Sequence, residues 1–328
     1  MRRGLHRLLI CTAALLAAGH APAQNQPEAI EPAPHVAAWP DLRTGRTEGA
    51  REASYVLGPE LQRGQPARAM LAERRRLDAA LAALQPQRAG QVDAFVISVA
   101  LDSDPVFARE AREAGRVLGR RYNAEGRTLV LAGPDGRSGG LPKGSLTALT
   151  LALAQVSELM DGQEDVLVLY TTSHGAPMGI AYHDGDTGYG ILSPARLSIL
   201  LNELGIRRRV VLLSACYAGV FVPALASADT AIVTAASHDR TSFGCQSDND
   251  WTFFGDALIN HALRRNQPLA DAARAAQTEI AGWEAERKLE PSMPQVSIGA
   301  GVAAWLAPLE ARIPRGDTQP VGKPSTSD

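Results

Sequence analysis

Two hydrophobic periods alternate along the chain from about Val92 onward. Short apolar, β-branched runs predict buried strands, and apolar residues three or four positions apart predict helices. Strands are predicted at Ala94–Ala100, at Thr128–Ala132, within Asp165–Gly175, within Arg209–Gly219 and at Ala231–Ala235. Helices are predicted between and after them, at 107–122, 145–160, 193–204, 251–265 and 269–288. Strands separated by helices form mostly parallel sheets covered on both faces, so we expect an α/β three-layer sandwich.

The two ends of the chain differ from this central block. Residues 1–23 run from basic residues through an apolar stretch to Ala21-Pro22-Ala23, which is typical of a secretory signal peptide. A buried N-terminal helix is the alternative. We therefore expect an exported protein, periplasmic or secreted, with a flexible or loosely docked leader at 24–66. A domain at 67–307 follows, then a disordered tail at 308–328. The N-terminal helix of this domain, at 67–84, either packs on it or acts as a removable inhibitory segment.

Charge and hydropathy exclude some partners. The formal net charge of −2 and the isoelectric point near 6.4 give no indication of nucleic-acid binding. Beyond the first 23 residues, no stretch of the sequence is long and apolar enough to cross a bilayer. We therefore expect no nucleic-acid partner and no stable membrane insertion.

Candidate chemistry lies at the ends of two predicted strands, in Ser173-His174-Gly175 and Ser214-Ala215-Cys216. Functional groups gather beyond the carboxyl ends of parallel strands, so we expect His174 and Cys216 to emerge side by side. An imidazole that takes a thiol proton creates a nucleophilic thiolate and can later act as a general acid. The backbone N–H groups of Gly175 and Cys216 would form an oxyanion hole.

The cysteine count leaves a second interpretation open. Cys11 falls in the predicted signal peptide, so the mature chain carries Cys216 and Cys245. Disulfides persist in oxidising compartments, and the two thiols could be joined there. In that case the protein would be a non-catalytic interaction module rather than an enzyme.

The blocks ending in His174-Gly175 and Cys216, together with the stretch Thr234–Cys245, resemble the legumain family of cysteine peptidases. The resemblance extends over about Val92 to Leu263. It implies a caspase-like fold and metal-free hydrolysis of a peptide or protein substrate, with Cys216 as nucleophile and His174 as base. Capture of the acyl-enzyme by an amine would instead make the protein an acyl-transferring transamidase, which is a further alternative.

The same resemblance implies a substrate pocket that accepts Asn, sometimes Asp. Arg109, Thr241 and Asp256 match the pocket arginine, serine and aspartate of the family. Ser214 stands at the position of an acidic pocket residue, so the sequence departs from the family there. An arginine beside an aspartate offers both donors and an acceptor to a substrate carboxamide.

A second departure concerns the group that orients the histidine. The asparagine that does so in the family aligns near Phe107, which cannot accept a hydrogen bond from an imidazole. Asp102 or Asp104, in the loop after the first predicted strand, could replace it.

Other polar clusters predict no bound group. His183-Asp184-Gly185-Asp186 lacks a convincing ligand set and is interpreted as a turn. Gly133–Gly144 is rich in glycine but lacks a Gly-Lys-Ser/Thr motif that opens a helix. We therefore expect no metal and no cofactor.

Overall fold

The computed structural model describes residues 35–133 and 140–327. The predicted signal peptide, the leader up to residue 34 and part of Gly133–Gly144 lie outside the described residues. The strands are β1 Glu60–Gln62, β2 Ala94–Ala100, β3 Thr128–Leu131, β4 Val166–Thr172, β5 Gly175–Ala176, β6 Gly179–Asp184, β7 Gly188–Leu192, β8 Arg209–Ser214, β9 Thr230–Thr234 and β10 Gln295–Ile298. The α-helices are α1 Glu48–Val56, α2 Ala67–Ala82, α3 Pro105–Arg121, α4 Leu146–Leu159, α5 Pro194–Glu203, α6 Val222–Leu225, α7 Leu269–Glu286 and α8 Val302–Glu310.

Six strands form the main sheet in the order β10-β9-β8-β4-β2-β3. All neighbours pair in parallel except β10, which runs antiparallel along β9. Every residue of β2, β4, β8 and β9 is buried. This burial explains why these strands appear in the sequence as continuous apolar runs rather than as an alternation of apolar and polar residues.

Helices cover both faces of the main sheet. Val168 of β4 and its neighbours on that face pack with α3, α7 and α8. The adjacent residue Leu169 points the other way and packs with α2, α4 and α5. Each fully buried Val, Leu or Ile contributes about 1.5–3 kcal/mol by leaving water, so the two apolar layers stabilise this arrangement. The predicted α/β class, a mostly parallel sheet between two helical layers, is confirmed.

A smaller antiparallel sheet with the order β1-β7-β6-β5 lies beyond the end of β4. Its first strand comes from the leader, because Leu61 in β1 pairs with Tyr189 in β7. The leader therefore docks on the domain from residue 35 onward, through α1 and β1. The sequence gives little indication of this docking, since α1 has no buried residue and β1 is three residues long.

The C-terminal segment also packs on the domain, although the sequence predicts disorder after residue 307. Helix α8 continues to Glu310, and the chain beyond it is held by side chains of the core. The Trp251 indole Nε1 donates to the Val321 carbonyl at 2.8 Å, and the Ser325 N–H donates to Asp256 Oδ2 at 2.7 Å. These hydrogen bonds satisfy backbone N–H and C=O groups of the C-terminal segment. They follow no periodic pattern of residues, so the Pro- and Gly-rich sequence does not predict them.

Across the described ranges, no helix combines the length and the apolar character that crossing a membrane requires.

Candidate active site

The register of β4 and β8 determines where His174 and Cys216 leave the sheet. Thr172 pairs with Ser214, and the Ser173 N–H donates to the Ser214 carbonyl at 3.1 Å just beyond the paired strands. His174 and Cys216 each follow two residues after that last pair. Both side chains line one small pocket at the carboxyl edge of the sheet.

Gly175 brings the two chain segments into direct contact. A Cβ atom at this position would lie 2.0 Å from the Cys216 carbonyl oxygen and 3.1 Å from the Cys216 nitrogen. No side chain fits in that space, so the glycine is required by the close approach of the two backbones. Its backbone therefore lies against that of Cys216.

The chain turns sharply after Cys216. Tyr217 has φ 58° and ψ 11°, a left-handed conformation that is uncommon for a residue with a bulky side chain. The Tyr217 N–H donates to the Arg240 carbonyl at 2.8 Å, which holds the turn against the loop that follows β9. Backbone strain of this kind is often found at functional sites, where the surrounding structure maintains it.

His174 is held between a carboxylate and an aromatic ring. Its Nε2 lies 3.5 Å from Asp104 Oδ2, and the Phe107 ring packs edge-on with the ring centroids 5.0 Å apart. The bond to Asp104, with a smaller contribution from Cys245, raises the pKa of His174 to about 10. In return, the imidazole lowers the pKa of Asp104. Of the two candidate orienting carboxylates, Asp104 is therefore the one that contacts His174.

The Cys216 thiol receives a backbone donor from the loop after β9. The Ser242 N–H points at Sγ with a nitrogen–sulfur distance of 3.2 Å. Burial raises the pKa of the Cys216 thiol, while this N–H and the nearby His174 act in the opposite direction by favouring the thiolate. The environment is thus mostly apolar, with two groups that stabilise negative charge on the sulfur.

Cys245 is a pocket residue that the sequence did not place there. It lines the same pocket as Cys216 and His174, and its proximity contributes to the raised pKa of the imidazole. Among the described residues both Cys216 and Cys245 are free thiols. Cys245 lies in a loop without apolar periodicity, so the sequence pattern does not predict that it lies beside His174.

Of the predicted substrate-pocket residues, Ser214 lines the pocket and Thr241 lies close to it. The Ser214 hydroxyl is 3.0 Å from the Thr252 hydroxyl, and both residues line the pocket. Thr241 is exposed and immediately precedes Ser242, the residue whose N–H contacts the Cys216 sulfur.

Arg109 and Asp256 lie outside this pocket, each in a buried cluster of its own. Arg109 pairs with Asp250 at 2.9 Å and donates to the carbonyl oxygens of Ser247 and Asn249. A buried guanidinium needs such partners because its desolvation is costly, so Arg109 braces the loop at 247–250. Asp256 is fully buried and accepts from the Ser325 N–H. The structure does not bring either side chain to the thiol.

A larger cleft of about 430 Å³ adjoins the thiol pocket. Ser242, Phe243 and Cys245 line both, so the loop after β9 separates them. Arg287, Asp248 and Lys323 are the charged residues of the cleft lining, and Lys323, from the C-terminal segment, pairs with Asp248 at 3.2 Å. The cleft therefore lies next to the Cys216 thiol and the His174 imidazole.

The described residues also include one possible set of metal ligands. His35, Asp102 and His183 bring potential ligand atoms within 4.8 Å of one another. His183 belongs to the sequence predicted as a turn, and in the structure it lies in β6, one residue before the strand ends at Asp184.

The structure thus brings a thiol and an imidazole into one pocket at the carboxyl edge of the α/β sheet. Residues 144–304 match the model of the Peptidase C13 family. Residues 144–304 therefore carry a domain of the Peptidase C13 family, which is a family of cysteine peptidases. The matched region includes His174, Cys216 and Cys245 but begins after Asp104 and Arg109.

Comparison with solved structures finds a caspase-1 from Spodoptera frugiperda, at 13% sequence identity and a TM-score of 0.41. The match covers 66% of this chain and 88% of the caspase chain. No curated protein sequence matches this chain significantly.

Proposed function

We propose that this protein is an exported cysteine endopeptidase in which Cys216 is the nucleophile and His174 is the general base and acid. The observation that carries the proposal is the pairing of β4 with β8, which delivers both residues to one pocket. Export is proposed from residues 1–23 and predicts a mature chain that begins at Gln24.

In the proposed reaction, the Cys216 thiolate attacks the carbonyl carbon of the scissile peptide bond. The backbone N–H groups of Gly175 and Cys216 would stabilise the oxyanion, and the imidazolium of His174 would protonate the departing amine. Water then attacks the thioester carbon while His174 accepts a proton, and this step releases the acid and restores the thiol. Every proton moves through His174, so the reaction needs no metal ion.

Labelling with a peptide-based electrophile tests the assignment of the nucleophile. We expect a peptidyl vinyl sulfone to modify Cys216 and to leave Cys245 unmodified, because the Ser242 N–H and His174 stabilise a thiolate on Cys216. Peptide mapping by mass spectrometry identifies the labelled cysteine, and a chelator in the buffer excludes metalloprotease contamination. Labelling of Cys245 alone would contradict the proposal.

Cleavage after Asn or Asp is the finer part of the proposal and comes from the family likeness. Arg109 pairs with Asp250, and Asp256 accepts from the Ser325 N–H, so we assign the selectivity to the walls of the adjoining cleft. A peptide library cleaved by the wild-type protein will identify the preferred residue. A preference for other residues would contradict the proposed cleavage after Asn or Asp. It would not affect the assignment of Cys216 as the nucleophile.

A second candidate function is a non-catalytic module in which Cys216 and Cys245 are joined. The observation in its favour is that both cysteines line one pocket. Titration of free thiols in the mature protein distinguishes the two candidates, since the enzyme requires a reactive thiol on Cys216. A protein without titratable thiols and without peptide cleavage would support the module.

The carboxylate at His174 predicts the pH dependence of the activity. Thiolate and imidazolium must both be present, so activity falls at high pH as His174 loses its proton. Asp104→Asn removes the largest cause of the raised pKa of His174, and we expect the alkaline limb of the pH profile to move to lower pH. The measurement is kcat/KM against pH for both proteins, with a chelator present.

Asp239→Asn is the matched control for this change. Asp239 is exposed, lies beside His238 and does not line the thiol pocket, so the alkaline limb should stay where the wild type has it. If Asp104→Asn leaves the limb in place, Asp104 does not set the protonation of His174.

A further inference from the structure

Three residues from distant parts of the sequence meet at one side of Asp104. His35 comes from the leader, Asp102 follows β2, and His183 lies in β6. His35 Nε2 lies 3.8 Å from Asp102 Oδ1, and His183 Nδ1 lies 3.7 Å from Asp102 Oδ2. One potential ligand atom from each residue falls within 4.8 Å of the other two.

The backbone fixes two of these residues side by side. Asp102 and His183 form an isolated parallel bridge, in which the His183 N–H donates to the Leu101 carbonyl at 2.8 Å. In the other direction, the Ser103 N–H donates to the His183 carbonyl at 2.9 Å. The two side chains are therefore positioned by the sheet, while His35 is added when the leader docks.

Two buried polar atoms in this cluster lack a hydrogen-bond partner among the described residues. They are Asp102 Oδ2 and His183 Nε2. The Asp102 side chain is 1% exposed, and its other oxygen already accepts the Asp104 N–H at 2.9 Å. A buried carboxylate oxygen without a donor is unfavourable unless a cation or another donor satisfies it.

We propose that His35, Asp102 and His183 bind a divalent transition-metal ion, with Zn²⁺ the best fit, and that this ion fastens the leader to the domain. Two imidazoles and one carboxylate form a ligand set that suits zinc, and a water molecule would complete a tetrahedron. Ligand atoms of a tetrahedral zinc site lie about 3.3–3.6 Å apart, given bond lengths of about 2.0–2.2 Å. Each imidazole has one nitrogen slightly beyond that range from an Asp102 oxygen, at 3.8 Å from Oδ1 for His35 and at 3.7 Å from Oδ2 for His183.

Closure of the site requires a rotation of His35. Its ring stacks on that of His183 with centroids 4.0 Å apart, and its Nε2 is 2.9 Å from the Ser103 hydroxyl. The His35 side chain is 20% exposed and belongs to a surface segment, so it can turn without disturbing the core. The Trp39 ring also packs against His183, with the ring centroids 5.0 Å apart.

The consequence of binding concerns the neighbouring Asp104. Its Oδ1 lies 3.5 Å from His35 Nδ1, and its Oδ2 lies 3.5 Å from His174 Nε2. Metal binding would therefore hold leader residue 35 next to the carboxylate that contacts His174. Binding itself does not depend on peptidase activity, so the two proposals can fail separately.

Calorimetric titration of the mature protein with Zn²⁺, after treatment with a chelator, tests the site. The Cys216→Ala, Cys245→Ala double variant serves as the parent because thiols would compete for zinc. We expect one equivalent to bind, and His35→Ala to weaken binding at least about tenfold, since even supporting residues of metal sites contribute that much. Because His35 lies in the leader, this variant is expected to fold even if a variant of buried His183 does not.

His238→Ala provides the matched control, as its side chain is 75% exposed and lies outside the cluster. It should bind zinc as the parent does. Co²⁺ gives an independent readout, because a nitrogen and oxygen site produces visible d–d bands without thiolate charge transfer. A parent that takes up no Zn²⁺ at micromolar concentration, or a His35→Ala variant that binds equally well, would overturn the proposal.

Discussion

Replacing Cys216 by alanine should lower kcat/KM for peptide cleavage by at least about 10⁴-fold, the scale seen when a covalent nucleophile is removed. The methyl group cannot form the thioester, and no later step of the proposed reaction can proceed without it. Cleavage of a fluorogenic peptide selected from a library provides the measurement. Circular dichroism and the unfolding temperature show whether the variant keeps its fold.

Cys245→Ala tests whether the second thiol of the pocket, rather than Cys216, is the nucleophile. Cys245 lines the same pocket and contributes to the raised pKa of His174, so it is the other thiol that the imidazole could activate. We expect this variant to retain most of the activity, because the Ser242 contact and the Gly175 contact belong to Cys216. Activity that survives in Cys216→Ala and disappears in Cys245→Ala would move the nucleophile to Cys245.

Gly175→Ala should lower kcat/KM by about 10²–10³-fold, the effect of losing one oxyanion donor. The new Cβ would lie 2.0 Å from the Cys216 carbonyl oxygen, so the ends of β4 and β8 must separate. Such a separation displaces both backbone N–H groups of the proposed oxyanion hole. We expect kcat to decrease while KM changes little, and we expect the unfolding temperature of the variant to be lower.

Gly282→Ala controls for the general effect of a glycine replacement. Gly282 lies in α7, and a Cβ there meets no atom within 4 Å. Alanine favours helix more than glycine does, so this variant should be as stable as the wild type or slightly more stable. If Gly175→Ala cleaves peptides as well as the wild type, the close contact at Cys216 has no part in the reaction.

The main sheet could be predicted from the sequence because its strands are buried on both faces. Val166–Thr172 and Arg209–Ser214 were both found as apolar runs, and their parallel pairing follows from the helix between them. The emergence of His174 and Cys216 at the same edge depends on this topology alone. A prediction of this kind needs no knowledge of side-chain contacts.

The small sheet, the leader and the pocket partners could not be predicted in the same way. Strands β5 to β7 are short and contain several glycines, so no apolar run marks them. Cys245 and Asp104 reach His174 from loops, whose course depends on tertiary packing rather than on local pattern. The sequence offered Asp102 and Asp104 as the carboxylate that orients His174. Only the folded structure shows that Asp104 is the one in contact with the imidazole.

Arg109 and Asp256 illustrate a limit of predicting substrate-pocket residues by alignment to a family. Alignment by spacing can match a residue type to a family position, but it cannot tell which partner the side chain finds. Here Asp250 and the carbonyl groups of the loop at 247–250 engage Arg109, and the C-terminal segment engages Asp256. Arg109 and Asp256 were assigned to the substrate pocket by their charge, and in the structure both charged groups have partners within the fold.

The pairing of β1 with β7 covers one edge of β7 with leader backbone. Leader backbone groups satisfy one side of β7, since the Ile191 N–H donates to the Pro59 carbonyl and the Arg63 N–H donates to the Thr187 carbonyl. Proteolytic release of the leader would turn β7 into an open edge strand, the kind of surface that recruits a strand from a second molecule. Removal of the leader and self-association of the trimmed protein would then be linked events.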